Sequence, residues 1–421
     1  MLNPKMPGAR CPVPSEVVRG ARPPTARPIL LVSAYYPPAV GGSPILFESI
    51  YSRLEGHGHD VTVLADVSLS PGAADAARGR LRVLRRPIAP RGWGVLDPRS
   101  LGRHVANGLR IRALARRAGA PLVHCARPLP EGLAALVARR LGGPRYLCWT
   151  HGEEVQYART SRELTFLLRR VFAGATAAIA NAHNTARLIR DVCGDAASPP
   201  IHVVHPGFDP ERFRPAADGA AALRARFAGP DDLLLLSVGR LQRRKGHDLA
   251  IEAVAALREE LPHLRYAIAG DGDERARLEA LAAERGVADR VRFAGVFRDD
   301  EVPALYAACD IFLLPNRVEG VDIEGFGIVF IEAAAASKPA IGGRTGGVVE
   351  AVADGETGIL VSGTDAAELA GAIRRLAASE DLRGRLGTAA RERALREFTW
   401  ERAAERVARI HADVCAPPAG P

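Results

Sequence analysis

At 421 residues the chain is too long for one ordinary hydrophobic core and suits two domains of roughly 180–200 residues with a cleft between them. Its 47% apolar, 25% charged and 5% aromatic residues are those of a globular protein, and its longest apolar runs, such as Leu233–Val238, fall far short of the roughly 18 residues a bilayer span requires. The net charge of +9 is uneven, with 32 Lys and Arg against 16 Asp and Glu in residues 1–230; without a basic motif interleaved with aromatics, this excess does not support nucleic-acid binding.

Residues 1–27 are rich in Pro, Arg and Gly without periodicity and read as a leader outside the fold. From Pro28 onward, short apolar runs alternate with helical segments, the pattern of parallel βαβ units. Strands are expected at Ile29–Ala34, Val61–Ala65, Leu122–Cys125, Arg145–Trp149, Ala177–Ala180 and Ile201–Val204, with a first helix over Ile45–Leu54. Between them, Arg99–Arg117 combines six arginines with Leu101, Val105, Leu109, Ile111 and Leu114 at roughly helical spacing. Such a helix is expected to pack on its own domain, with docking on an anionic membrane as the alternative. These elements make a Rossmann-like domain over 28–205.

His205-Pro-Gly-Phe-Asp-Pro210 interrupts the pattern, and a second Rossmann-like domain is expected over 206–398. Its strands are predicted at Leu233–Val238, Tyr266–Ala269, Val291–Phe293, Ile311–Leu314, Pro339–Ile341 and Gly358–Val361. A final helix over Trp400–Val414, within 399–415, has Ala403, Val407 and Ile410 at helical spacing. The fold class is therefore α/β with two Rossmann-like domains. The six cysteines (Cys11, Cys125, Cys148, Cys193, Cys309 and Cys415) lack the close spacing of zinc or redox motifs and are expected as reduced thiols in a cytoplasm.

Four stretches carry the chemistry. The loop Ser33–Gly42, between a strand and a helix, ends in Gly41-Gly42, whose backbone can approach an anion at a helix start; it lacks the spacing of a dinucleotide-binding turn. Trp149-Thr-His151-Gly-Glu153-Glu154 places His151 just past a strand end, where an imidazole can bond a sugar hydroxyl. His183, near Asn181 and Asn184, is a weaker candidate of the same kind. Ser237-Val-Gly-Arg240-Leu-Gln-Arg243-Arg244-Lys245-Gly246 follows the first strand of the second domain, where parallel sheets bind ligands. Arg240 and Lys245 suit a diphosphate, whereas Arg243 and Arg244 are expected to face solvent. In Asp322-Ile-Glu324-Gly-Phe326-Gly327-Ile328-Val329-Phe-Ile-Glu332, two carboxylates flank a helix start and can grip different parts of an extended ligand. Asp271-Gly-Asp273 reads as a loop and helix cap rather than a metal site.

In this order and spacing the motifs resemble the family 4 retaining glycosyltransferases, over nearly the whole chain from Pro28 to Val414. The resemblance implies the two-domain GT-B fold, a nucleotide-diphosphate-sugar donor, no cofactor and no metal. It implies that Glu332 holds the ribose, Arg240 and Lys245 the diphosphate, and Glu324 with the amides of Phe326, Gly327, Ile328 and Val329 the sugar. His151 would lie beside the anomeric carbon, Gly42 near the phosphate, and the Gly295–Arg298 loop, including Phe297, near the base. Asn316–Gly325 looks especially like the phosphatidylinositol mannosyltransferases of the family, which favours GDP-mannose over UDP-sugars. A lipid, glycan or small-molecule acceptor is implied; the thiols point to a cytoplasmic place, and peripheral docking on the inner membrane face is the alternative that the basic helix offers. Where those relatives usually have a second His, two residues after the first, this chain has Glu153.

Other enzymes of this fold, such as a hydrolase, phosphorylase or epimerase, fit the Gly-Arg-x-x-x-x-Lys-Gly stretch less well. A non-catalytic scaffold would have no reason to keep Arg240, Lys245, Glu324 and Glu332 together.

Overall fold

The computed structural model describes residues 28–416, apart from residues 40, 70, 71 and 91; the leader expected over 1–27, and Cys11 with it, lies outside them. The α/β architecture read from the sequence is the one observed. The first sheet contains β1 (Ile29–Val32), β2 (Val61–Asp66), β3 (Ala76–Arg78), β4 (Leu81–Arg86), β5 (Leu122–Cys125), β6 (Arg145–Thr150), β7 (Ala177–Ala180) and β8 (Ile201–Val203), in the order β3-β4-β2-β1-β5-β6-β7-β8. All its pairings are parallel except β3 with β4.

The second sheet is parallel throughout and contains β9 (Leu233–Val238), β10 (Leu264–Ala269), β11 (Val291–Gly295), β12 (Ile311–Leu314), β13 (Ala340–Gly343) and β14 (Gly358–Val361). Its order is β11-β10-β9-β12-β13-β14. Strand order reverses at β1 in one sheet and at β9 in the other, so the loops leaving these two strands open onto the crevices where parallel α/β sheets take ligands. The two loops are the Gly41-Gly42 and Gly239–Gly246 stretches singled out above.

The central strands β1, β5, β7 and β12 are buried along their whole length, as near-continuous apolar runs covered by helices on both faces require, with His124 of β5 the one polar residue among them. The hairpin β3–β4 was not anticipated. Inward Leu81 and Val83 of β4 are followed at the next inward position by Arg85, whose guanidinium donates to the Ala74 and Pro37 carbonyl oxygens and so breaks the apolar alternation. The first helix begins at Gly42 rather than Ile45, because Pro44 is tolerated in a first turn, whose N–H has no intrahelical partner.

The helix Trp400–Cys415 buries Trp400, Ala403, Ala404, Val407 and Ile410 in the same apolar cluster as β1 and the helix Gly42–Arg53 of the first sheet. The two passages of the chain between sheets run side by side: Phe208 N–H donates to the Phe398 carbonyl (2.9 Å) and Trp400 N–H to the Phe208 carbonyl (3.2 Å). Gly207 is needed here, since a Cβ would lie 2.5 Å from the Trp400 nitrogen.

The basic segment forms the helix Pro98–Ala118, capped by Asp97, which accepts from the amides of Arg99 and Ser100. It packs on its domain through Ser100, His104, Asn107, Gly108, Ile111 and Ala115; of the apolar stripe expected to do so, Ile111 is buried and Leu114 packs partly against the same core. Gly108 lies so close to the neighbouring helix Leu133–Arg140 that a Cβ would sit 2.7 Å from Val137. Leu101, Val105 and Leu109 instead face solvent, 40–50% exposed. No helix among the described residues is long and apolar enough to cross a membrane.

Candidate functional site

The loop after β9 turns through Gly239 and a single 3-10 turn, Arg243–Lys245, before Gly246 caps the helix His247–Ala256. Gly246 has φ 73°, and a Cβ would lie 2.2 Å from the Pro315 carbonyl, so this position requires glycine. The turn aims Lys245 inward, where its Nζ lies 2.6 Å from Glu324 Oε2. Arg244 was expected to face solvent, but its guanidinium donates to the same oxygen at 2.9 Å, and Asn316 Nδ2 adds a third donor at 2.9 Å. The tight turn puts residues 244 and 245 on one side, a consequence that a run of three cations conceals. Arg243 points outward to Glu274 (3.7 Å). Arg240 is exposed and its side chain makes no hydrogen bond or ion pair among the described residues, which leaves its fork free for a ligand.

Burial alone would raise the Glu324 carboxyl, but Lys245 and Arg244 outweigh it and hold the group below the usual carboxylate range. The same burial lowers Lys245, reinforced by the like charges of Arg244 and Arg240 and opposed by Glu324. Both shifts fit one picture, an ionised carboxylate inside a cluster with surplus positive charge. Glu324 Oε1 carries no hydrogen bond among the described residues, and the surplus charge suits an anion.

Glycines bring the two halves together. A Cβ on Gly325 would lie 2.5 Å from the His151 carbonyl, so only glycine allows the Glu324 loop to touch the first half there. Gly42 faces Ile328, with 4.0 Å between its Cβ position and Ile328 Cδ1. Gly327, at φ 88°, precedes the helix Ile328–Ala335, whose first amides have no intrahelical carbonyl to bond. Gly42 thus lies against the start of the helix Ile328–Ala335, and the His151 backbone against the loop that carries Glu324, on which Lys245 converges.

His151 Nε2 lies 3.2 Å from the Ala126 carbonyl oxygen, which fixes the hydrogen on Nε2 and leaves Nδ1 as an acceptor. The ring is stacked on Trp149 and held edge-on by Phe47. Burial lowers its pKa to about 4, so it is neutral at physiological pH. Its backbone N–H donates to Glu154 Oε1 at 2.6 Å, and burial raises that carboxyl to about 7. Half-buried Glu332 accepts from Tyr306 Oη at 2.6 Å; burial raises it too to about 7.

Phe297 is half-buried, edge-on to Phe227, with Arg226 over both rings, so its side chain is engaged in packing while neighbouring Val296 is 79% exposed. Phe326 is buried against His205 and Phe398, which leaves its backbone rather than its ring for a ligand. His183 is exposed at the start of the helix His183–Cys193, outside this group. Asn181 accepts from Thr185 Oγ1, and the Asn184 amide donates to Glu350. Asp271-Gly272-Asp273 forms a loop but no cap; the cap position of the next helix is Glu274, with no side-chain bond. The reading from sequence missed Arg244 and Asn316, and only the shared target at Glu324 reveals them.

Residues 222–393 match the model of the glycosyl transferases group 1 family, and residues 40–212 that of Glycosyltransferase Family 4. Over 386 residues the chain is 32% identical to a GDP-mannose-dependent alpha-(1-6)-phosphatidylinositol monomannoside mannosyltransferase of Mycolicibacterium smegmatis, covering 91% of this chain and 97% of the relative. A D-inositol 3-phosphate glycosyltransferase of Streptomyces bingchenggensis is 41% identical over 51% of this chain and 48% of its own. Among solved structures, the sucrose-phosphate synthase of Thermosynechococcus elongatus superimposes with a TM-score of 0.77 at 25% identity, over 92% of this chain and 99% of that one. Anabaena HepE, solved with UDP and glucose, shares the fold with a TM-score of 0.73 at 20% identity, over 91% and 99% of the two chains. With two facing parallel sheets, a cationic cluster at the second switch point and matches along nearly its whole length, the chain belongs to glycosyltransferase family 4 and is a hexosyltransferase of the GT-B fold.

Proposed function

We propose that the protein transfers mannose from GDP-mannose, with retention of configuration, to an inositol-bearing lipid. The observation that carries the reading is the convergence of Lys245, Arg244 and Asn316 on Glu324 beside the free Arg240 and the open helix start at Ile328. On this reading Glu332 accepts the ribose hydroxyls, Arg240 and Lys245 bind the diphosphate with Gly42 close to it, and the backbone around Phe297 borders the base. Glu324 Oε1 and the amides of Phe326, Gly327, Ile328 and Val329 hold the sugar. His151 Nδ1 accepts a sugar hydroxyl beside the anomeric carbon.

In the reaction, the bond from the anomeric carbon to the β-phosphate oxygen breaks as the acceptor oxygen forms its bond on the same face. The acceptor proton passes to the departing phosphate oxygen, giving GDP and the mannosylated acceptor. Charge grows on the diphosphate during this step, and fixed cations aimed at that position lower the barrier. Because Arg240, Arg244 and Lys245 supply this charge, the reading requires no metal.

A lipid acceptor is supported by the near-complete coverage of the phosphatidylinositol monomannoside mannosyltransferase, against half coverage of the inositol phosphate enzyme. It is also supported by Leu101, Val105 and Leu109, which stand exposed in one row with Leu96 (80% exposed) close by in sequence and Arg99, Arg116 and Arg117 on the same helix. An apolar row with flanking cations suits the surface of an anionic membrane on the cytoplasmic side. Sedimentation with vesicles containing anionic phospholipid should be substantial at low salt, fall at high salt and be lost in Leu101→Ser/Leu109→Ser. Absence of sedimentation at low salt would remove the membrane from the account.

The donor is tested by melting the protein with GDP, UDP and ADP. A ligand at about 100 times its Kd stabilises the folded state by about 2.7 kcal/mol, a shift of several degrees. A shift with GDP alone supports the reading; a shift with UDP and none with GDP assigns another donor.

A further inference from the structure

A second cluster of chemically capable side chains lies beside the cleft and is used by none of the steps above. His183 follows β7 of the first sheet, His205 follows β8, and Glu350 belongs to the short helix Val348–Ala351 that follows β13 of the second sheet. One ligand atom from each lies within 4.8 Å of the other two. We propose that these three residues form a binding site for a divalent ion of the zinc type, which staples the two halves of the molecule in the arrangement seen here.

Two ligands are already oriented. The Glu350 carboxylate accepts the backbone amides of His183 (2.8 Å) and Asn184 (2.9 Å), bonds of the kind that orient a metal-ligating carboxylate. The His205 ring is fixed between Phe326 (5.2 Å) and Phe398 (5.6 Å), with Nε2 2.9 Å from Glu350 Oε2. The third, His183, is exposed, and its ring lies 5.8 Å from that of His205.

Tetrahedral bonds of about 2.1 Å place ligand atoms roughly 3.4 Å apart. The His205–Glu350 pair, at 2.9 Å, therefore needs to open by about half an ångström, and His183, within 4.8 Å of both, to swing inward by at most about 1.4 Å, which an exposed side chain does at little cost. Two imidazoles and one carboxylate favour zinc, cobalt or nickel over magnesium or calcium, which prefer all-oxygen shells. The open side at His183 leaves the fourth position to water.

Because the ligands come from both sheets, the ion resists separation of the halves. Because His205 packs on Phe326, it also braces the Glu324–Val329 loop. In this enzyme the ion acts as a brake, slowing the opening that product release requires.

The experiment uses the full chain without an affinity tag and titrates it with Zn2+ and with Co2+, whose visible absorption reports tetrahedral nitrogen and oxygen ligation. The variants are His183→Ala and, as a control at an exposed histidine elsewhere, His263→Ala. One equivalent is expected to bind in the wild type and in His263→Ala. The affinity should be more than roughly tenfold weaker in His183→Ala, since even outer-shell partners of a metal are worth about 10–100-fold. Zn2+ should slow sugar transfer by the wild type and not by His183→Ala. Equal affinity in His183→Ala and the wild type, or no saturable binding, overturns the site.

Discussion

Replacing Lys245 by alanine is expected to lower kcat by about 10²–10³-fold while leaving the affinity for GDP within a few-fold of the wild type. The magnitude is that of removing one preorganised donor from a site where negative charge develops during the reaction. The asymmetry between kcat and affinity follows from position. Lys245 Nζ is buried against Glu324, and its charge gains most when the diphosphate acquires the electrons of the breaking bond. The fold tolerates the change, because Arg244 and Asn316 still hold Glu324 Oε2 at 2.9 Å each and no carboxylate is left unpaired. Single-turnover transfer alongside GDP binding separates the two effects. Equal losses in both would make Lys245 a ground-state anchor, and wild-type kcat would remove it from the site.

Glu332→Ala is expected to weaken GDP binding by about 10–100-fold, the range for losing hydrogen bonds to a charged acceptor. Its raised pKa adds a pH signature that a purely structural residue would lack. Burial holds the free enzyme's Glu332 at about 7 against an ordinary 4.5, so without ligand the carboxyl is largely protonated at pH 6. Accepting ribose hydroxyls favours the ionised form, so binding releases a proton and GDP affinity climbs as pH rises towards about 7, then levels. Glu332→Gln should flatten that slope.

The sign for stability is opposite. A carboxyl whose folded pKa is raised costs the native state stability as pH rises from about 4.5 to 7, because the unfolded chain ionises first. Glu332→Gln removes that cost, so its melting temperature should gain on the wild type over this window. Calorimetric titration with GDP at pH 5.5 and 8 reads the first effect and thermal melts the second.

How much of this was legible in the sequence differs by element. Strands buried on both faces announce themselves as apolar runs, unbroken in β7 and β12 and interrupted by one polar residue in β5 (His124) and β9 (Ser237), and each was placed to the residue. The hairpin β3–β4 was missed because Arg85 takes an inward position and bonds backbone oxygens there, a compensation that only tertiary structure supplies. The helix Pro98–Ala118 was recognised, but its orientation was not. It packs through Ile111 together with Gly108 and other small or polar residues while Leu101, Val105 and Leu109 stay outside, and periodicity cannot tell which part of an apolar stripe a domain will cover.

At the candidate site, residue types and spacing led to His151, Lys245, Glu324 and Glu332. They did not lead to Arg244, whose inward aim depends on a single tight turn, or to Asn316, which reaches Glu324 from the end of β12. The close approaches that demand Gly246 and Gly325 show why these glycines stand where they do. Each lets two backbones meet where a methyl group would collide with a carbonyl oxygen.

Transfer of labelled mannose from GDP-mannose to anionic vesicles containing an inositol glycolipid, with the anomeric configuration of the product read by NMR, tests the central claim most directly. The account predicts an α-linked mannosyl lipid formed with stoichiometric release of GDP, and loss of both products in Lys245→Ala. Turnover of a UDP-sugar with none of GDP-mannose, or a product of inverted configuration, would contradict it.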